Sequence, residues 1–129
     1  MPHLVLHLSP PLKNAPWLDF FAQTHKILSP YADILTCKSR INEISSVYIG
    51  HHTGQEGLIH LELALRPRPA EVLANIGQEV FECLKTHSAP IIAQHHLIVE
   101  PTLELRILEH FWNWDVLSKK EKAYEKSTL

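Results

Sequence analysis

Cysteine, methionine and excess charge are all scarce in this chain of 129 residues, which has two cysteines, one methionine and a formal net charge of -2. Cys37 and Cys83 lie far apart, with no C-x-x-C pair, which excludes a readable zinc ribbon or disulfide framework. Two such thiols fit buried, reduced cysteines in a cytoplasmic protein. The near-neutral balance argues against a nucleic-acid binder held by phosphate charge. No apolar run approaches the roughly 18 residues of a membrane span. The start, MPHLVLHLSPPLK, is too short and too broken by proline to be a secretory signal. The expectation is a cytoplasmic protein without nucleic-acid or membrane partners.

What is present is enough apolar material, 45% of residues, for one globular core. Residues 3–8 alternate strictly, with Leu4, Leu6 and Leu8 on one face and His3, Val5 and His7 on the other. That is a half-buried strand. Asn14 followed by Pro16 reads as a helix start. Trp17, Phe20, Phe21, Thr24 and Leu28 then keep the rhythm of one apolar helical face. Residues 36–49 read as a second strand, with Lys38, Arg40 and Asn42 sharing a face, and residues 50–54 as a turn.

The pattern then repeats. Ile59, Leu61, Leu63 and Leu65 mark a third strand over 58–65. Leu73, Ile76, Val80, Phe81 and Leu84 mark a long helix that Pro90 should kink or end. Residues 96–107 read as a fourth strand, and Pro101 inside it predicts an edge position or a bulge. The order is β-α-β twice, offset by about 55 residues. Strands bridged by a helix run parallel. The predicted fold is therefore a two-layer α/β sandwich with four strands and both helices on one face. The other face carries His3, His7, Lys38, Arg40, His60 and Glu62, and a second subunit is the expected cover.

Pro2 is the residue through which chemistry enters. An internal proline nitrogen is an amide, but removal of Met1 would leave a secondary amine. An α-amino group titrates near ~8, and burial or neighbouring cations lower that value. Such an amine can abstract a proton from carbon at neutral pH. A strand beginning at His3 would pin the terminus in place.

An N-terminal proline opening a double β-α-β unit resembles the tautomerase superfamily, and within it the 5-carboxymethyl-2-hydroxymuconate isomerases. The stretches that carry the resemblance are Met1-Pro2-His3, Lys38-Ser39-Arg40, Ile59-His60-Leu61, Gly77, and Phe81 through His87. Together they span residues 1 to about 109, so 1–109 reads as the tautomerase-like domain and 110–129 as an extension. The resemblance implies a homotrimer without metal or cofactor. It implies a proline base that moves a proton between carbons of an unsaturated 2-hydroxy or 2-oxo acid, in aromatic degradation. Pro2 matches the base, and Arg40 and Arg68 match arginines that bind the anionic carboxylate substrate. Lys38 stands where the family usually has the first arginine of Arg-Ser-Arg. Lysine keeps the charge and loses the bidentate fork. Pro67-Arg68-Pro69 likewise replaces the usual Gly-Arg. Both departures bear on substrate identity more than on proton transfer.

Ten histidines raise a metal reading, but no HExxH or Cys/His ladder occurs, and neighbouring histidines on a strand diverge. No metal site is expected. His110, Phe111, Trp112 and Trp114 form an aromatic cluster expected to anchor against the body or an adjoining subunit. The segment 118–129 has four lysines and two glutamates, too little charge for a nucleic-acid arm. Other readings are a different 2-oxo acid tautomerase, a non-catalytic trimeric binding protein of the same fold, and a histidine-based metal binder.

Overall fold

A computed structural model describes residues 2–112. Four strands and two long helices appear in the order β1 (His3–Leu8), α1 (Trp17–Leu28), β2 (Lys38–Glu43), β3 (Ile59–Leu65), α2 (Ala70–His95) and β4 (Thr102–Ile107). The strands form one sheet in the order β2-β1-β3-β4. β1 runs parallel to β2 and β3 parallel to β4, while β1 and β3 are antiparallel. This is the expected pair of β-α-β units joined through their first strands. No helix among the described residues is long and apolar enough to cross a membrane.

Alternation along each strand separates core from open face. Leu4, Leu6 and Leu8 of β1 and Ile59, Leu61, Leu63 and Leu65 of β3 are all buried. Against them pack Trp17, Phe20, Phe21 and Leu28 of α1 and Ile76, Val80, Leu84 and Ile91 of α2. Every position of α1 that the helical spacing selected is buried, Thr24 included, whose hydroxyl donates to the Phe20 carbonyl. Gly77 brings α2 close to β4, since a Cβ there would meet Leu105 Cδ1 at 3.3 Å.

Four boundaries differ from the sequence reading. Asn14 does not cap α1. The helix begins after Pro16 without a side-chain cap, and Trp17 Nε1 donates to the Leu12 carbonyl at 2.7 Å, tying the start to a 3-10 turn over Pro10–Leu12. β2 is shorter than 36–49, because Ile34–Thr36 form a 3-10 turn capped by the Asp33 carboxylate and the chain leaves the sheet after Glu43. β4 begins at Thr102, so Pro101 sits just before an edge strand rather than within it.

The fourth difference is Pro90, which does not end α2. The helix continues to His95 and closes at His96, in the left-handed conformation with φ 53°. Buried Ser88 and Ile91 flank the proline, so tertiary packing holds the helix across the missing hydrogen bond. Trp114 and the charged segment 118–129 lie outside the described residues.

Candidate active site

The strand register arranges the open face in three rows across β2, β1, β3 and β4. The first is Lys38, His3, Ala64 and Arg106; the second is Arg40, Val5, Glu62 and Glu104; the third is Asn42, His7, His60 and Thr102. Cations therefore occupy the β2 side at the Pro2 end, and carboxylates occupy the β3–β4 side.

Pro2 is buried immediately before β1. Its carbonyl accepts the Lys38 amide at 3.1 Å, which extends the β1–β2 pairing back by one residue. The backbone of Pro2 is thus held at the end of the sheet where β2 begins and β3 ends. Lys38 and Arg40 project from exposed positions of β2. His3, the open-face neighbour of both, is held below its ordinary pKa, first by burial and then by the charges of Lys38 and Arg40. Its Nε2 is buried and makes no hydrogen bond. The adjacent Cys37 thiol is pushed up by burial to about 11, which leaves it a protonated packing group.

Arg68 lies at the same end of the sheet, between β3 and α2. Its Nη1 donates to the Arg66 carbonyl at 2.8 Å and its Nη2 to the Tyr31 carbonyl at 2.7 Å. Those bonds stitch the β3–α2 connection to the segment after α1. Two residues not proposed as site residues from sequence join the cluster. The Arg66 guanidinium lies 5.9 Å from the centre of the Phe111 ring, and Phe111 meets His3 edge-on with centroids 5.2 Å apart. Arg66 directly follows Leu65, the last residue of β3. The usable signal was its place at the end of β3, which antiparallel pairing with β1 returns to the Pro2 end. Trp112, by contrast, is exposed.

Farther along the open face, the polar side chains form a connected network. Asn42 Nδ2 lies 2.9 Å from His7 Nδ1, and His7 Nε2 lies 3.3 Å from Glu62. Arg106 joins Glu62 at 3.0 Å and Glu104 at 2.9 Å. His60 meets the Thr102 hydroxyl at 2.6 Å and Glu104 at 3.5 Å. Arg106, first by its hydrogen bond, holds the Glu104 carboxyl below the usual range. His60, Glu62 and Glu104 bring possible metal-ligand atoms within 4.8 Å of one another. Both carboxylates, however, already bond the Arg106 guanidinium, which supplies the positive charge that a cation would bring.

A buried proline at a sheet end flanked by cations, on two fused β-α-β units, defines a class of fold before any comparison of sequence. No protein-family model matches this chain, and no curated protein matches it in sequence. Solved structures do match, and they are of the tautomerase fold, which this chain shares. A 5-carboxymethyl-2-hydroxymuconate isomerase from Deinococcus radiodurans superposes with a TM-score of 0.79 over 93% of each chain, at 19% identity. A 5-carboxymethyl-2-hydroxymuconate delta-isomerase gives 0.77 over 95% of this chain and 93% of its own, at 15% identity. A fused 4-OT, described as a symmetric trimer, gives 0.63 over 92% and 98%, also at 15% identity.

Proposed function

We propose that this protein is a cofactor-free isomerase in which Pro2, freed by removal of Met1, moves a proton between carbons of an unsaturated 2-hydroxy or 2-oxo acid. The observation that carries the reading is the anchoring of Pro2. It is buried, its carbonyl is bonded to the Lys38 amide, and the strand that begins there carries Lys38 and Arg40 at exposed positions. Burial and positive neighbours both favour the uncharged amine, the form that works as a base. The nitrogen lone pair takes a proton, the electrons it leaves spread over the conjugated acid, and the ammonium returns the proton to another carbon. Lys38, Arg40 and Arg68 bind the carboxylate and stabilise the charge that develops on the 2-oxygen.

The substrate proposed is an acid of the 5-carboxymethyl-2-hydroxymuconate type, formed in aromatic degradation. Its support is the resemblance in Lys38-Ser39-Arg40 and Phe81 through His87 together with the isomerase structures that share the fold. A homotrimer is part of the same proposal. Among the described residues, no helix or strand layer covers the open face of the sheet, which is lined by the His7–Glu62–Arg106 network. The two free thiols accord with a cytoplasmic setting.

The test is an ultraviolet assay of a small panel of dienol acids with wild type and Pro2→Ala. Turnover of at least one acid, falling by about a hundredfold or more in the variant, is the expected result for loss of a positioned base. Equal turnover by Pro2→Ala would remove Pro2 from the mechanism.

A further inference from the structure

Among the described residues β2 is an edge strand, hydrogen-bonded only to β1, and five of its six residues are exposed. Ser39 is the exception. Its hydroxyl lies 2.6 Å from Nε2 of His25, in the last turn of α1. That helix is seated in the core through Trp17, Phe20, Phe21, Thr24 and Leu28, so His25 belongs to a fixed element. Successive side chains on a strand point to opposite faces. Ser39 therefore faces the helices, while Lys38 and Arg40 on either side of it face outward beside His3 and Val5.

Pairing with β1 sets the register of β2, but the twist of an edge strand also depends on what holds its side chains. Any roll of β2 that displaces Ser39 swings Lys38 and Arg40 in the opposite sense. Among the described residues, the other side-chain ties of β2 lie toward the far end of the strand: Asn42 Nδ2 to His7 Nδ1 at 2.9 Å, and the exposed Lys13–Glu43 ion pair at 2.9 Å. Exposed pairs hold geometry weakly.

We propose that Ser39, clamped by His25, is a positioning residue that holds Lys38 and Arg40 in the orientation that binds the carboxylate of the substrate. The inference rests on the reading of Lys38 and Arg40 as the anion-binding side of the Pro2 site. Burial holds the His25 imidazole below its ordinary pKa, which favours the neutral ring. With Nδ1 carrying the proton, Nε2 accepts the Ser39 hydroxyl.

The experiment is titration calorimetry with cis,cis-muconate, an unsaturated dicarboxylate, alongside steady-state kinetics on an active dienol acid. Ser39→Ala is expected to raise Kd and KM about tenfold, with a smaller fall in kcat, because misplaced binding groups cost up to ~100-fold. Ser39→Thr, which keeps the hydroxyl, should restore both values. His25→Ala should reproduce the loss, and the double variant should be no worse than either single one. A bond that only supported the fold would lower Tm and leave Kd of the folded protein unchanged. Unchanged Kd in folded Ser39→Ala and His25→Ala, or a fall in kcat at constant KM, overturns the clamp. Lys38→Ala and Arg40→Ala run in parallel separate the two levels. If they weaken muconate binding and the clamp variants do not, only the clamp is wrong. If wild type does not bind muconate, or neither cation variant weakens binding, the anion-site reading falls and the clamp falls with it.

Discussion

Retention of Met1 is the sharpest perturbation of the proposed chemistry, because it changes one nitrogen and leaves its surroundings in place. Pro2 is anchored through its carbonyl, which accepts the Lys38 amide at 3.1 Å, and β1 pairs from His3 onward on both sides. None of these bonds uses the Pro2 nitrogen. A chain that keeps Met1 should therefore hold Pro2 where the processed chain holds it, with an amide in place of the amine. The amide has no basic lone pair, so the whole general-base contribution is lost. That contribution is about 10²–10⁴ in rate, or about 3–5 kcal/mol of barrier. The two forms can be prepared by expression with and without methionine aminopeptidase and distinguished by intact mass. Turnover of an active dienol acid is then followed in the ultraviolet for each. Residual activity in the retained form should scale with its content of processed chain. Equal turnover by a preparation shown by mass to be wholly unprocessed would refute the mechanism, however well the fold agrees.

Three further outcomes are expected. Lys38→Ala should raise KM for an acidic substrate about tenfold, the lower end for a charge-assisted hydrogen bond at an exposed position, and Lys38→Arg should lower it by restoring bidentate contact; kinetics insensitive to both would place the carboxylate elsewhere. Gly57→Ala should destabilise the fold by about 1–3 kcal/mol, measured by denaturant unfolding, because its Cβ would meet Val99 Cγ2 at 3.0 Å and both Leu97 Cδ1 and Ser9 Oγ at 3.2 Å. Glu56 is held down to about 2 from its ordinary 4.5, chiefly by the Thr53 backbone N–H. A carboxyl depressed in the folded state contributes stability that is complete above 4.5 and is lost as pH falls from there through about 2. Glu56→Gln should flatten that part of the acid unfolding curve, and an unchanged curve would show that the Thr53 contacts do not persist in solution.

Much of the fold was legible in the chain because burial follows periodicity. Alternating leucines in 4–8 and 59–65 and the helical spacing of Trp17, Phe20, Phe21, Thr24 and Leu28 are local patterns, and each is buried as its period requires. Boundaries were less legible where local rules met tertiary packing. Pro90 should kink or end a helix by itself, yet with buried neighbours on both sides α2 does not end there and runs through to His95. Asn14 is a good capping residue by type, but the Trp17 indole bond to Leu12 determines where α1 starts.

The site divides along the same line. The sequence alone determined that Pro2 follows Met1, that a strand begins at the next residue, and that Lys38 and Arg40 share a strand face. These are covalent or short-range facts. Which residues meet across strands depends on register, and register is a property of the folded sheet. Only the tertiary structure placed Lys38 opposite His3, brought Arg66 and Phe111 to the Pro2 end, tied Arg68 to the Tyr31 carbonyl, and set Arg106 between Glu62 and Glu104. It also joined His25 to Ser39 across 14 positions of sequence, a contact no periodicity encodes because it depends on how α1 lies over the edge of the sheet.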